Sequence, residues 1–277
     1  MIQRKEYLDL LKKWKDEQVI KVITGIRRCG KSTLLALYQD YLRTQGIADD
    51  QIIYVNFEEL EYEDLLDYKA LYSYIKSRLH SEKTTYIFLD EIQQVANFQK
   101  AVDSLYVKQN VDIYITGSNA YLLSGELATL LSGRYVEINM LPLSFAEFCE
   151  LKGGSDKDAL LAEYMKNGGL PYIAKLSGDT EKVDMYLEGI YNTIIVKDIE
   201  ERQKRKEKDA NKRKINDIAL LKNISKFLAS SVGSPVSMKS IADYITSGGR
   251  SISQATVSDY VDALVEPYIF YPAERYD

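Results

Sequence analysis

Short apolar runs rich in β-branched and aromatic residues alternate, in the first half of this chain, with stretches whose apolar positions recur every three or four residues. Residues 19–24, Ile52–Phe57, Thr85–Leu89, Val111–Thr116 and Tyr135–Met140 are the five short runs, each of a length expected for a buried strand. Leu34, Leu35, Leu37, Tyr38 and Leu42 follow the first run at helical spacing, and Ala70–Leu79 and Phe98–Val107 lie between later runs. Strands that alternate with helices predict an α/β fold: a parallel five-stranded sheet with helices on both faces.

After Pro142 the pattern turns helical, over Ser144–Leu151, Lys157–Met165 and Thr180–Glu201, with a break at Gly168-Gly169-Leu170-Pro171. The run Glu201–Lys214 carries eight Lys or Arg against three acidic residues and reads as a solvated helix end or linker. Ile215–Ser231, Ser237–Ile245 and Ser253–Glu266 predict three more helices, and Tyr268–Tyr271 a short strand, the layout of a C-terminal winged helix-turn-helix. The expected organisation is a core at 1–143, a helical subdomain at 144–200, a basic segment at 201–214 and a winged-helix domain at 215–277.

Composition narrows the chemistry. The 277 residues have a net charge of −5, so a basic footprint for nucleic acid would have to be local. Cys29 and Cys149 are the two cysteines and His80 the single histidine, which excludes a disulfide framework, His-based triads and Cys/His metal clusters. The charged N-terminus has no apolar signal core and no run is long enough to span a bilayer, so a soluble cytoplasmic protein without membrane contact is expected.

The segment joining the first predicted strand to the first helix is Gly25-Ile26-Arg27-Arg28-Cys29-Gly30-Lys31-Ser32-Thr33, a phosphate-binding loop pattern. Its glycines let backbone N–H groups turn towards phosphate oxygens, and the following helix points its positive end at the same anion. Lys31 is placed to reach the β- and γ-phosphates, and the Ser32 hydroxyl to ligate Mg²⁺. Arg27 and Arg28 suit phosphates, a partner subunit or the acidic stretch Glu58–Asp67. Cys29 reads as a small loop filler, with a redox-sensitive thiol as the weaker alternative.

Tyr86-Ile87-Phe88-Leu89-Asp90-Glu91 places two carboxylates at the C-terminal end of a buried strand, where ligands of parallel sheets lie. Asp90 would hold Mg²⁺, through water, and Glu91 would orient and deprotonate the attacking water. Ser118 or Asn119, after the fourth strand, suits either the γ-phosphate and attacking water or an ordinary helix cap. Arg134, before the fifth strand, suits either a transferring phosphoryl group or a surface position. The guanine-reading Asn-Lys-x-Asp element is absent from the sequence, which favours ATP, and the lack of G-x-G-x-x-G disfavours a dinucleotide oxidoreductase.

Taken together, Gly25–Thr33, Tyr86–Ile92, Ile115–Asn119, Leu131–Tyr135 with Leu141–Phe145, Gly168–Pro171 and Lys197–Ile199 make the chain resemble the prokaryotic AAA+-type ATPases that join an ATPase core to a C-terminal domain of unknown function. The resemblance covers essentially the whole chain. It implies AAA+ strand order, a helical lid over 144–200, an arginine finger at Arg134, acting in cis or in trans, and a Gly-Leu-Pro turn whose Pro171 packs near the adenine. In that family the chain continues beyond a segment like Glu274–Asp277 into a nuclease-like domain, so a truncated chain is expected.

The leading expectation is an ATPase that binds ATP and Mg²⁺, hydrolyses the nucleotide and couples ATP and ADP states to movement of lid and winged helix. The alternatives are a nucleotide-regulated nucleic-acid-binding protein and an ATP-responsive signalling scaffold that works as a homo-oligomer with little hydrolysis. The basic run favours some DNA contact, weak and non-specific. The third C-terminal helix argues against groove reading: residues 238–277 hold three basic and six acidic groups.

Overall fold

The computed structural model describes residues 2–117, 131, 133–176, 179–194, 199 and 217–274. The described chain divides into two compact units, with the boundary after Asp179. This boundary divides the span 144–200 expected to act as one lid, and the helix from Thr180 falls in the second unit.

Five strands, β1 (Ile20–Thr24), β2 (Ile52–Asn56), β3 (Thr85–Asp90), β4 (Val111–Thr116) and β5 (Tyr135–Asn139), form one all-parallel sheet in the order β2-β3-β4-β1-β5. Alternation along each strand feeds two cores. Ile20, Val22, Ile87, Leu89, Ile113 and Ile115 share one cluster with Leu71 and Ile75 of α3 (Tyr68–Lys76) and with Ala101, Val102 and Leu105 of α4 (Phe98–Tyr106). Ile23, Tyr86, Phe88, Tyr114 and Ile138 share the other with Leu8 and Leu11 of α1 (Lys5–Lys13) and with Leu34, Leu35, Tyr38 and Leu42 of α2 (Lys31–Thr44). The sheet is therefore covered on both faces, which explains why its strands read as continuous apolar runs.

A buried ion pair lies within the second core. Lys21 and Asp112 are fully buried and paired at 2.5 Å. Lys21 Nζ also donates to the Glu17 carbonyl, while Asp112 accepts from the Asp16 N–H and the Tyr114 hydroxyl, each at 2.9 Å. Burial pushes the Lys21 ammonium below its ordinary pKa and the Asp112 carboxyl above its own, with each partner opposing the other's shift.

Beyond β5, α5 (Phe145–Lys152) begins at a capping box: Ser144 Oγ accepts from the Glu147 N–H and Glu147 accepts from the Ser144 N–H. α6 (Lys157–Asn167) follows, and Phe148, Leu160 and Ala174 join Ile2 and Leu143 in a small core of their own.

In the second unit, α7 (Thr180–Asn192) precedes α8 (Ile218–Ser230), α9 (Met238–Ser247) and α10 (Gln254–Val265), and the last three pack through Leu221, Ile224, Ile241, Val257 and Leu264. The strand expected at Tyr268–Tyr271 is not formed. Tyr268 is in a turn, Ile269 and Phe270 form a bend and Tyr271 is irregular, with Tyr268 at φ 60° and its ring stacked on Tyr271 at 5.4 Å. A four-residue strand needs a ladder partner, and Pro272 offers it no N–H donor. Among the described residues the last three helices thus pack together without a wing.

Candidate nucleotide site

The loop from Gly25 to Gly30 leaves the C-terminal end of β1, which lies between β4 and β5, and runs into α2. Its first glycine is dictated by crowding. Gly25 has φ 149°, and a Cβ there would lie 2.2 Å from the Met140 carbonyl oxygen. Met140 is itself held by its N–H on the Thr24 carbonyl at 2.8 Å. The next residue, Leu141, is gripped from the N-terminal segment: its N–H donates to the Tyr7 hydroxyl, and its carbonyl accepts from Arg4 Nη2 at 2.6 Å. Arg4, almost wholly buried, also pairs with Glu147 at 3.2 Å.

Lys31, the first residue of α2, is buried and turns back over the loop. Its Nζ donates to the carbonyl of Gly25 at 3.2 Å and to that of Ile26 at 3.5 Å, and lies 4.0 Å from Glu91 Oε1. Ser32 and Thr33 are exposed at the helix start. Arg27 lies 3.7 Å from Glu58, one of the acidic partners expected for it, and Arg28 is exposed with φ 69°. Cys29 is buried, and burial raises its thiol pKa against the pull of Lys31 and Arg4. A buried neutral thiol is an inert loop filler.

Asp90 and Glu91 arrive on the end of β3. Asp90 is completely buried, and both carboxylate oxygens are taken by hydroxyls: Thr116 donates to Oδ1, and Tyr54 donates to Oδ2 at 3.1 Å. Burial, and then the Asp90 charge, push the Tyr54 phenol well above its ordinary pKa, so it remains a donor. Among the described residues no Lys or Arg pairs with Asp90. Thr116 also accepts from the Glu91 N–H at 3.0 Å, which joins the ends of β3 and β4. Glu91 itself sits at φ 55°, and its Oε2 accepts from the Gln93 amide.

On the far side of the loop, Gly169-Leu170-Pro171 folds against the exit of β5. The Leu143 N–H donates to the Gly169 carbonyl at 2.7 Å, and a Cβ on Gly169 would lie 2.4 Å from the Leu143 oxygen. This close approach brings Pro171 to 3.9 Å from the position a Cβ would take on Gly30.

Lys31, Asp90, Glu91 and Pro171 therefore converge on the loop, whereas Arg134 does not. It precedes β5, where Tyr135 pairs with Ile20, while the loop follows Thr24, which pairs with Asn139. Five residues of strand rise separate the two levels, about 16 Å. Arg134 pairs there with Asp103 at 3.8 Å, over the Tyr106 ring. Ser118, Asn119 and the basic run 201–214 lie outside the described residues. The sequence reading missed Thr116, Tyr54, Gln93 and Arg4. Only Thr116, the last residue of a strand beside the acidic pair, carried a positional signal.

A family model described as an AAA domain matches residues 17–149, and one described as a domain of unknown function matches residues 158–277. An uncharacterised protein of Haemophilus influenzae is 43% identical over 282 residues, covering 100% of this chain and 68% of that protein. This chain belongs to the AAA-type P-loop ATPase family. A second relative, from Methanocaldococcus jannaschii and also uncharacterised, is 32% identical over 268 residues, with 91% of this chain and 56% of that protein covered. The chain thus spans about two thirds of one relative and just over half of the other. Among solved structures, the Walker-type ATPase of Pyrococcus abyssi shares the fold, with a TM-score of 0.61 at 16% identity over 96% of this chain and 89% of that one. Within this family frame, β2-β3-β4-β1-β5 is the strand order expected from the resemblance. No helix among the described residues is long and apolar enough to cross a membrane.

Proposed function

We propose that this chain binds Mg-ATP at residues 25–33 and hydrolyses it in the cytoplasm. The observation that carries the reading is the convergence of Lys31 with Asp90 and Glu91 at the C-terminal edge of the sheet. Lys31 would exchange its two carbonyl partners for β- and γ-phosphate oxygens, a charge-assisted contact stronger than the ones it leaves. Magnesium fits the donors present. Ser32 and Asp90 offer hard oxygens only, and a fully buried carboxylate with no basic partner among the described residues favours a nearby cation. With both Asp90 oxygens engaged by hydroxyls, contact through water is favoured. Bound there, the ion would neutralise charge on the β- and γ-phosphates.

Glu91 is the base in this reading. Its Oε1 takes a proton from water as the water oxygen bonds to the γ-phosphorus. The bond from that phosphorus to the bridging oxygen breaks, and its electron pair leaves with ADP. Pro171, packed beside Gly30, would bear on the adenine side. It offers the helices after β5 a contact whose strength differs between nucleotide states, which is what a switch requires. The span 144–200 would act as lid, 201–214 as a basic connector and 215–277 as the responding module. α10 presents Asp259 and Asp262, which favours a protein partner or homo-oligomer over a DNA groove. Titration with labelled ATP tests the site. Lys31→Ala should lose at least about tenfold in affinity, and Asp90→Ala should lose its magnesium dependence. Parental binding by Lys31→Ala would remove the assignment.

A further inference from the structure

Glu91 needs a fixed direction if it is to serve as a base, and its own backbone does not supply one. It stands alone in the left-handed region between β3 and a single tight turn, Ile92–Gln94. That turn is anchored by Ile92 and Val95, both buried in the core, and is closed by the Gln94 N–H on the Glu91 carbonyl at 3.1 Å. Gln93 projects from it and is 5% exposed. Its amide N–H donates to Glu91 Oε2. Its carbonyl oxygen, Oε1, is buried and has no hydrogen-bond partner among the described residues.

An unsatisfied buried acceptor costs stability. A residue that only filled this space would do better without it, as methionine would. The glutamine retains a donor aimed at one oxygen of the carboxylate, which leaves Glu91 Oε1 on the side of Lys31. We propose that Gln93 is a positioning residue for ATP hydrolysis: its amide holds Glu91 Oε2 so that Oε1 is the oxygen presented to the attacking water. The proposal rests on Glu91 being the base.

Gln93→Met keeps length and volume, removes the donor and removes the orphan acceptor. It should lower kcat by about tenfold to a hundredfold, the scale of a misplaced reacting group. KM and ATP affinity should stay within about twofold of the parent, and Tm should not fall. In a Glu91→Gln background, where there is no carboxylate left to orient, Gln93→Met should change the residual turnover by less than about twofold. Parental kcat in Gln93→Met, with Glu91→Gln inactive, would overturn the role of Gln93 and leave the base standing. A loss of kcat matched by losses of affinity or Tm, or repeated in full in the Glu91→Gln background, would mark a structural residue and overturn it too. Parental turnover in Glu91→Gln would instead remove the reading on which the proposal rests.

Discussion

Gly25→Ala is the smallest change that should disable the site. The added Cβ would meet the Met140 oxygen at 2.2 Å, the Met140 carbonyl carbon at 3.2 Å and Cys29 Sγ at 3.0 Å. Relief of the first contact needs about 1 Å of movement to reach ordinary van der Waals distance. Met140 is poorly placed to yield. It is tied to Thr24 at the sheet edge, and its neighbour Leu141 is held on both sides by Tyr7 and Arg4. The loop must therefore move. Alanine at a positive φ costs about 1–3 kcal/mol, and overpacking a fitted site about 1–3 kcal/mol more, so a loss of about 2–6 kcal/mol in unfolding free energy is expected. The same shift displaces the loop backbone whose N–H groups would face the phosphates, so ATP affinity should fall by about a hundredfold, the scale of a 1 Å misplacement. Urea unfolding and ATP titration read the two effects. A variant within about 0.5 kcal/mol and twofold of the parent, inside the range of neutral surface changes, would refute the claim that Gly25 is fixed by close approach.

Two further perturbations separate other parts of the account. Lys21→Met or Asp112→Leu alone should each destabilise by about 3–5 kcal/mol, because one buried charge is stranded, whereas the double variant should lose much less than the sum; additive losses in urea unfolding would contradict the pairing. Arg134→Ala should spare ATP binding. If Arg134 acts on a neighbouring chain, as its 16 Å offset (about five strand rises) requires of any finger role, turnover per chain should rise with protein concentration, and mixing Arg134→Ala with Glu91→Gln should recover activity. Unchanged hydrolysis would leave it the partner of Asp103 and Tyr106.

The sheet was legible because both of its faces are covered, so the strands appear as largely apolar runs of strand length. The loop was legible because the glycines, Lys31 and Ser32 stand at fixed offsets between a strand and a helix. What escaped was set by tertiary contact. Lys21 and Asp112 look like ordinary polar positions within strands, and only the pairing of β1 with β4 puts them together. Tyr54 and Thr116 meet Asp90 from two neighbouring strands, and no local spacing relates the three. Arg4 acts across more than a hundred residues on Leu141, from a segment read only for the absence of a signal peptide. The strand expected at the C-terminal end failed for the converse cause: Tyr268–Tyr271 has strand-forming residues but no partner strand among the described residues, and β propensity without a ladder does not make a strand.

The central claim, ATP hydrolysis with Glu91 as base, is tested most directly by a single-turnover time course. Parent and Glu91→Gln proteins, each in excess over γ-labelled ATP with magnesium and matched for fraction bound, are followed for release of labelled phosphate. The account predicts equal ATP capture by the two proteins and phosphate release slowed by about a hundredfold or more in Glu91→Gln. Equal release rates, or no release by the parent when fully loaded with Mg-ATP, would contradict it.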